Sequence, residues 1–157
     1  MECVVNERRI KYNDGEVYWW YCHGSRGLLK NPRWRKFKPT MSDRYKTVRI
    51  NKKVYKLHRV IYKINNPEWD IEDNSKRNEI DHIDRNALNN IIENLRVVTN
   101  QQNAWNNSSK GYSWDKKSNK WRSQIKLNGK IIYGGLFKTE EEAIKKRAEL
   151  KIKYHTI

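Results

Sequence analysis

Cysteine, proline and long apolar runs are scarce in this sequence, which has two cysteines and three prolines in 157 residues. Cys3 and Cys22 by themselves can form neither a disulfide framework nor a four-ligand zinc site. The pair Cys22–His23 leaves metal binding open, although isolated pairs of this kind are more often structural. No stretch is apolar for the length of a membrane span, and the N-terminus has no secretory signal. We therefore expect a cytoplasmic protein that is not secreted.

Acidic residues are also few, with 18 Asp and Glu against 34 Lys and Arg, so the formal net charge is +16. A field this positive favours a polyanionic partner, and the basic residues are spread along the whole chain. Nucleic acid fits better than a membrane surface, because no basic amphipathic helix dominates the sequence. The remaining alternative is a merely basic protein without a polyanionic partner. We expect a nucleic-acid partner and no membrane.

Phenylalanine is rare, but seven Trp and nine Tyr supply large side chains that keep a polar tip, a composition that favours compact sheets. Residues 1–57 are predicted to be a basic β-rich region of short strands and turns. Its last part, YKTVRINKKVYKLHRVIY, predicts a strand, a turn at Asn51-Lys52 and a second strand.

Residues 30–40, KNPRWRKFKPT, interleave basic and aromatic side chains, and the prolines argue against regular strand pairing. We predict an exposed loop on the polyanion. Its predicted contacts are Arg33, Trp34, Arg35 and Lys36. The alternative is a solvated basic loop in which Trp34 and Phe37 cover a small core.

The chain after residue 106 begins with the linker-like NNSSKG and then changes pattern. YSWD, WRSQIKL and KIIYGGLF predict three strands, and Asn128-Gly129 between the last two is a hairpin signal. A capping box at Thr139 and Glu142 predicts a helix. Its apolar positions Ile144, Ala148 and Ile152 recur at helical spacing and are predicted to pack behind the sheet.

The central stretch EIDHIDRNALNNIIENLRVVTNQQNAWN, residues 79–106, is crowded with Asp, His and Asn. NEIDHI predicts a strand that ends in Asp81-His82, and NLRVV predicts a second strand. A capping box at Thr99 and Gln102 predicts the start of a helix, which presents Asn103 and Asn107 on one face. The Asp81 carboxylate and the Asn103 amide oxygen suit a hydrated divalent cation, and His82 is the most plausible general base. Taken singly, each residue is better explained by an Asx turn, a packed histidine or a surface amide. Taken together, they indicate a site.

These residues in DHIDRNALNNIIENLRVVTNQQN, with the preceding LHRVIY, resemble the ββα-metal motif of HNH endonucleases. The resemblance spans residues 58–107 and is to the phage and intron homing endonuclease variant, in which asparagine replaces the last histidine. It implies that Asp81 and Asn103 hold one divalent cation, that His82 is the general base, and that Asn94 fixes the loop that orients His82. Asparagine at position 103 favours Mg²⁺ or Mn²⁺ over tightly held Zn²⁺. The sequence does not choose a phosphate clamp among Arg59, Arg85 and Arg96.

Residues 111 to about 154 resemble the AP2 DNA-binding domain of phage homing endonucleases, in which a three-stranded sheet lies in the major groove. The alternation in KWRSQIK places Arg122, Gln124 and Lys126 on one face of a strand, and the alternative is a solvated basic face. The Arg-rich first strand of plant AP2 factors is missing, so we expect looser specificity. The implied DNA contacts are Ser113, Arg122, Gln124, Lys126, Lys130, Ile131 and Tyr133.

These interpretations predict an α+β protein of three parts. Residues 1–57 form the basic β-rich region, residues 58–107 an HNH nuclease core, and residues 108–157 an AP2-like three-stranded antiparallel sheet with one helix. The expected function is site-preferring, metal-dependent cleavage of double-stranded DNA to 5′-phosphate and 3′-hydroxyl ends, by a monomer without an obligate protein partner. The alternatives are a catalytically silent DNA-binding regulator and an RNA-directed nuclease or RNA-binding protein.

Overall fold

The computed structural model describes residues 1–13, 15–24, 27–75, 77–106 and 110–154. Several small antiparallel sheets combine with helices in an α+β arrangement. The chain divides into two compact units, Met1–Val97 and Val98–Ile157, and each is described by itself. Within the described ranges, no helix has both the length and the apolar character needed to cross a bilayer.

The first unit begins with a four-stranded sheet in chain order, whose inner side buries Val5, Ile10 and Val17. Its strands are β1 (Glu2–Val5), β2 (Arg8–Asn13), β3 (Glu16–Gly24) and β4 (Gly27–Lys36). A three-stranded sheet follows, made of β5 (Thr40–Ser42), β6 (Tyr45–Ile50) and β7 (Lys53–Lys56). The predicted turn joins β6 to β7, where Asn51 has a φ of 43°. Asparagine tolerates this left-handed conformation better than most residues.

Residues 30–36 are not the loop that we predicted, because they belong to β4 and residues 33–36 pair with β3. The prediction overvalued proline as a strand breaker. β4 is the last strand of its sheet, and its pairing is irregular between Leu28 and Arg33, so Pro32 can be accommodated without a backbone N–H. Phe37, just after the strand, is 8% exposed and belongs to the core, as the alternative interpretation proposed.

A helix also replaces the end of the second predicted strand. α1 (Leu57–Asn65) begins directly after β7 and lies against both sheets. Its core residues Leu57, Val60, Ile61 and Ile64 follow the spacing i, i+3, i+4, i+7, which is helical and not strand-like. The second predicted strand forms as β7, but its predicted extension through LHRVIY was wrong, because the β-branched residues of LHRVIY outweighed this period in the interpretation.

The remainder of the first unit carries the motif. β8 (Glu79–His82) and β9 (Leu95–Val98) form a two-stranded sheet, as the sequence predicted, and a 3₁₀ turn (Ile92–Asn94) leads into β9. The chain between these strands forms a loop of residues 83–91. The unit boundary falls within β9, between Val97 and Val98.

The second unit agrees with the predicted strand pattern. It contains α2 (Asn100–Trp105), β10 (Tyr112–Asp115), β11 (Lys120–Leu127), β12 (Lys130–Phe137) and α3 (Glu140–Tyr154). The three strands form an antiparallel sheet in chain order. Asn128 and Gly129 have φ values of 49° and 80°, the left-handed pair that a two-residue hairpin turn needs. Both predicted capping boxes form, at Thr99–Gln102 and Thr139–Glu142.

The buried side of α3 differs from the predicted one. Ile144 and Ile152 are 43% and 83% exposed, whereas Ala143, Arg147 and Leu150 are buried. Two glycines, Gly134 within β12 and Gly111 just before β10, leave space for this orientation. A Cβ at Gly134 would lie 2.8 Å from Leu150 Cδ1, and one at Gly111 would overlap the Arg147 guanidinium. The glycines thus make room for Leu150 and Arg147.

Candidate functional site

Asp81 and His82 end β8 and are nearly inaccessible, at 6% and 5% exposure. Asp81 Oδ2 accepts hydrogen bonds from Arg96 Nε at 3.1 Å and Arg96 Nη2 at 2.9 Å. This charge-assisted contact fixes the carboxylate at the strand end. It also engages Arg96 inside the unit, where the sequence had suggested a DNA contact.

The imidazole of His82 is oriented by an asparagine that the sequence analysis did not single out. His82 Nε2 donates to Asn90 Oδ1 at 2.9 Å. The Asn90 amide is itself oriented, because its Nδ2 donates to the Leu88 carbonyl at 3.4 Å. A neutral imidazole that donates through Nε2 carries its lone pair on Nδ1. The contact therefore selects the tautomer in which Nδ1 is the basic nitrogen.

Two further rings pack against His82. His58 on α1 meets it edge to face, with ring centroids 4.8 Å apart, and Tyr45 on β6 is stacked at 6.2 Å. His58 is 3% exposed. Burial, followed by the nearby His82, Lys56 and Arg59, lowers the pKa of His58 to about 3. At neutral pH His58 is thus uncharged and packs against His82 as a neutral ring.

The loop between β8 and β9 is held by an Asp–Asn network. Asn94 Nδ2 donates to Asp84 Oδ1 at 2.9 Å and to the Asn89 carbonyl at 2.8 Å, while Asn94 Oδ1 accepts from the Asp84 N–H at 3.0 Å. Asn89 Nδ2 donates to Asp84 Oδ2 at 2.7 Å. The bonds from Asn89, Asn86 and Asn94 lower the pKa of Asp84. Asn94 is 7% exposed and ties both ends of the loop together.

The arginines considered as phosphate clamps have different surroundings. The Arg59 guanidinium donates to the carbonyls of Ile71, Asp73 and Asn78 and lies 4.8 Å from the Trp69 ring centroid. These contacts tie down the segment after α1 and favour a structural role over DNA contact. Arg85 lies on the site loop, and its backbone N–H donates to the His82 carbonyl at 2.9 Å.

The predicted metal ligands lie in different units, Asp81 in the first and Asn103 on α2 in the second. Their pairing stays a prediction from the sequence. Asn107, predicted on the same face as Asn103, falls outside the described residues. Among the described residues, no group of three or more His, Cys, Asp or Glu is placed to hold a metal ion. The donors at hand are oxygens of one carboxylate and of amides, which suit a hard, largely hydrated cation.

The second unit carries most of the other predicted contact residues on one face of its sheet, whereas Lys130 pairs with Leu127 and therefore belongs to the opposite face. Gln124 pairs with Tyr133, and Lys126 with Ile131, across β11 and β12. The opposite face of β11 is buried, with Ser123 at 0% and Ile125 at 2% exposure. Arg122 Nη1 lies 4.0 Å from Asp115 Oδ2. The contact face contains Ser113, Arg122, Gln124, Lys126, Ile131 and Tyr133.

Sequence reasoning missed four residues around His82, namely Asp84, Asn90, His58 and Tyr45. The Asn-rich loop was noted, but its composition does not show which amide reaches the imidazole. His58 stood within the matched LHRVIY without a role. Tyr45 is distant in sequence, and only the packing of β6 brings it to the site.

Comparisons with known proteins identify the central segment. Residues 55–105 match the HNH endonuclease family. "Protein 3.8" of Escherichia phage T7 is 42% identical over an alignment of 59 residues that covers 32% of this chain and 49% of that protein, so the match spans about half of the relative's length. No solved structure matches the chain. Asp81 and His82 lie at the end of β8, and Asn94 holds the loop between β8 and β9. Residues 55–105, which contain these side chains, are an HNH endonuclease domain.

Proposed function

We propose that the protein is a divalent-metal-dependent DNA endonuclease in which His82 is the general base. The observation that carries the proposal is the hydrogen bond from His82 Nε2 to Asn90 Oδ1 within a matched HNH domain. A histidine serves as a base only if one nitrogen keeps its lone pair, and in a neutral imidazole that donates through Nε2 this nitrogen is Nδ1. The burial of His82 among His58 and Tyr45 keeps the ring from rotating away.

The proposed reaction is hydrolysis of a phosphodiester. His82 Nδ1 takes a proton from water, the water oxygen bonds to phosphorus, and the bond from phosphorus to the 3′ oxygen breaks. The 3′ oxygen ends as a hydroxyl after gaining a proton, and the other fragment carries a 5′-phosphate. Asn94 and Asp84 contribute by holding the loop that carries Asn90, and so position His82 indirectly.

We propose Mg²⁺ or Mn²⁺ as the cofactor, with Asp81 and Asn103 as protein ligands. Such a cation, when bound, stabilises charge on the phosphate and on the departing oxygen. Arg96 holds the Asp81 carboxylate by Oδ2, so a cation would share that carboxylate with a guanidinium. The amide at position 103 gives an oxygen ligand, which favours these hard cations over Zn²⁺.

We further propose that the second unit makes cleavage site-preferring, in the manner of an AP2-like sheet. The support is the composition of its exposed face, where Arg122 and Gln124 can contact base edges and Ile131 and Tyr133 are 63% and 55% exposed. Large apolar side chains are seldom left on the open face of a sheet unless it meets a partner. The expected substrate is therefore double-stranded DNA read through the major groove.

Plasmid digestion tests the activity. Supercoiled DNA is incubated with wild-type protein or His82→Ala, with Mg²⁺, with Mn²⁺ or with a chelator, and a folded RNA of similar length serves as the competing substrate. We expect metal-dependent nicking or linearisation of DNA by the wild type and a loss of at least about 100-fold in His82→Ala. DNA binding by the variant should be unchanged.

Three outcomes would contradict the proposal. Cleavage by His82→Ala at the wild-type rate removes His82 as the base. Binding without cleavage by the wild type under every metal condition points to the silent regulator. Cleavage of RNA alone points to an RNA-directed nuclease.

A further inference from the structure

The four-stranded N-terminal sheet, outside the matched family segment, has a basic groove that nothing so far explains. The groove has a volume of about 450 Å³ and is bounded by Arg8, Arg35 and Arg49 around Trp19 and Asn51, with Lys36, Phe37 and Lys38 at one end. Among these described residues are five cationic side chains and no carboxylate. Crowding like charges in this way destabilises a folded protein unless an anion neutralises them.

The first two arginines are held in place by aromatic rings. The Arg8 guanidinium lies 4.4 Å from the Trp19 ring centroid, and that of Arg35 lies 3.7 Å from the Tyr21 ring centroid. Trp19 and Tyr21 are themselves in edge-to-face contact at 5.1 Å. Two guanidinium planes are thus supported by one aromatic pair, which lowers the entropy cost of a bound anion.

Arg8 is also held by a set of hydrogen bonds that joins two turns, through Asn6 and Asn51. Its Nε and Nη2 donate to Asn51 Oδ1 at 3.0 and 2.7 Å. Asn51 Nδ2 donates to the Asn6 carbonyl at 2.7 Å, and Asn6 Nδ2 donates to the Ile50 carbonyl at 2.9 Å. The turn before β2 and the turn before β7 therefore lock the side chain of Arg8 into one orientation.

The three arginines of the groove differ from other basic residues of the same unit, and from Lys36 at the end of the groove. Arg9 pairs with Glu2 at 2.8 Å, and Lys36 pairs with Glu16 at 2.9 Å. Within the part of the chain that the structure describes, no carboxylate lies within ion-pair distance of Arg8, Arg35 or Arg49. Arg35 and Arg49 are also exposed. Their charge is left to be neutralised from outside the chain.

The groove continues toward the nuclease site. A second cleft of about 630 Å³ shares Lys36, Phe37 and Lys38 with it and extends past Lys46 to Asn90. Asn90 is the residue that binds His82 Nε2. Lys36, Lys38 and Lys46 therefore line the way from the N-terminal sheet to the residue beside the general base, all within the first unit, and Glu16 is the carboxylate among the lining residues of the second cleft.

We infer that Arg8, Arg35 and Arg49 bind the phosphodiester backbone of the DNA substrate and that Lys36 and Lys38 carry the same strand toward His82. The inference rests on the proposed function, because it names the part of the protein that holds the DNA flanking the cut. Arginines supported on rings bind phosphates without reading bases. The N-terminal sheet thus contributes affinity and placement of the strand, and little sequence preference.

Salt-dependent binding of the full-length protein to duplex DNA tests the inference. The variant Arg35→Gln/Arg49→Gln removes two exposed cations of the groove, and the matched control Lys145→Gln/Lys153→Gln removes two exposed cations from α3. The slope of log K against log salt should become shallower by about two in the groove variant, since each phosphate that is no longer neutralised changes it by about one. It should stay near the wild-type value in the control. Arg35→Lys/Arg49→Lys should recover most of the slope.

The single variant Arg49→Gln guards against loss of folding, because the hydrogen bond from Arg49 to the Lys52 carbonyl, at 3.4 Å, is long. It should make the slope shallower by about one. Equal slopes for the groove variant and the control overturn the inference, as does a loss of RNA binding with duplex DNA binding unchanged. Failure of the wild type to bind or cut DNA at all would instead contradict the proposed function.

Discussion

The Asn90 amide makes a direct hydrogen bond to the imidazole of His82, with Asn90 Oδ1 2.9 Å from His82 Nε2. An imidazole flips between two tautomers of similar energy unless a neighbour selects one, and Asn90 Oδ1 selects the form with its proton on Nε2. The neighbouring His58 stays neutral because it is buried, so it adds no competing charge at neutral pH. Single side chains around His82 can therefore be tested one at a time.

The hydrogen bond from His82 to Asn90 predicts that two substitutions of Asn90 differ in cleavage activity. Asn90→Leu removes the acceptor, and we expect kcat to fall by about 10- to 100-fold, less than for loss of the base itself. Asn90→Asp keeps an oxygen at the same position and should retain most of the activity. Single-turnover cleavage measures both, with DNA affinity as the control. Equal activity of the wild type and Asn90→Leu would show that Asn90 does not set the tautomer.

The lowered pKa of His58 predicts a pH-dependent stability. Above pH 6.5 the residue is neutral whether the chain is folded or unfolded. Below that value the unfolded chain binds a proton that the folded chain rejects until about pH 3, so the free energy of unfolding falls with falling pH. The contribution approaches about 1.4 kcal/mol per pH unit.

Urea unfolding between about pH 7.5 and about pH 5 measures this contribution, with His58→Gln as the reference because it cannot titrate. We expect the wild type to lose stability more steeply than the variant over this range. Parallel curves would show that His58 takes up its proton while folded.

At the scale of elements, the side of α3 that is buried against the sheet is not the side that its hydrophobic pattern predicts. The helix places Leu150 against Gly134 and leaves the more apolar stripe of Ile144 and Ile152 outside. The helix can approach the sheet closely at the glycines, and this packing decides which side chains are buried more than their hydrophobicity does. The opposite face of the sheet carries Gln124, Lys126, Ile131 and Tyr133.

Leu150 and Ile152 form a matched pair for testing this orientation. Leu150 is 7% exposed and Ile152 is 83% exposed. Leu150→Ala should lower the free energy of unfolding by about 2–5 kcal/mol, whereas Ile152→Ala should stay within about 0.5 kcal/mol. Chemical denaturation of both variants measures these free energies of unfolding. A larger loss for Ile152→Ala than for Leu150→Ala would show that α3 packs through Ile144 and Ile152, as the sequence predicted.

The proposed DNA-binding sheet predicts two kinds of DNA contact, one from Arg122 and Gln124 on its exposed face and one from Lys126 and from Lys130 at the hairpin end of β12. Arg122→Ala and Gln124→Ala should each cost about 1–3 kcal/mol on a preferred site and less on random DNA, because we propose that these two side chains contact base edges. Lys126→Ala and Lys130→Ala should weaken binding to all sequences alike, and each should reduce the salt slope by about one unit because one phosphate is no longer neutralised. If all four variants lose affinity equally on specific and random DNA, the sheet is only an electrostatic platform.

At the scale of the whole molecule, the chain has two compact units and a charge of +16. α2, which carries Asn103, belongs to the second unit and is tied to its sheet. Gln101 Oε1 accepts from the Asn128 N–H at 2.8 Å, and Trp105 Nε1 donates to the Lys126 carbonyl at 3.4 Å. The HNH segment of residues 55–105 therefore extends from the first unit into the second.

The proposed cofactor gives a prediction at this scale. Asp81→Ala and Asn103→Ala should each raise the Mg²⁺ concentration needed for half-maximal cleavage, because each removes one oxygen ligand. Asn106→Ala, on the residue that follows α2, serves as the comparison for Asn103. Metal titrations of cleavage provide the measurement. An unchanged metal requirement in either ligand variant would exclude that residue from the metal site.

The sequence by itself determined the features that depend on local order. Asn128-Gly129 requires a tight turn, Thr99 and Thr139 require helix starts, and the alternation in β11 places Arg122 and Gln124 on one face. These follow from backbone conformations and side-chain periods that act within a few residues. The spacing of Asp81, His82 and Asn94 likewise indicated the HNH motif, which the family match over residues 55–105 supports.

Only the tertiary structure decided which side chains meet across the chain. The pairing of β3 and β4 placed Arg35 on Tyr21, the hydrogen bonds to Asn51 held Arg8, and the loop after β8 brought Asn90 to His82. Whether Pro32 is tolerated in a strand depends on that strand being at the edge of its sheet. Such contacts join residues distant in sequence, and their free energy depends on packing and burial, which local pattern does not encode.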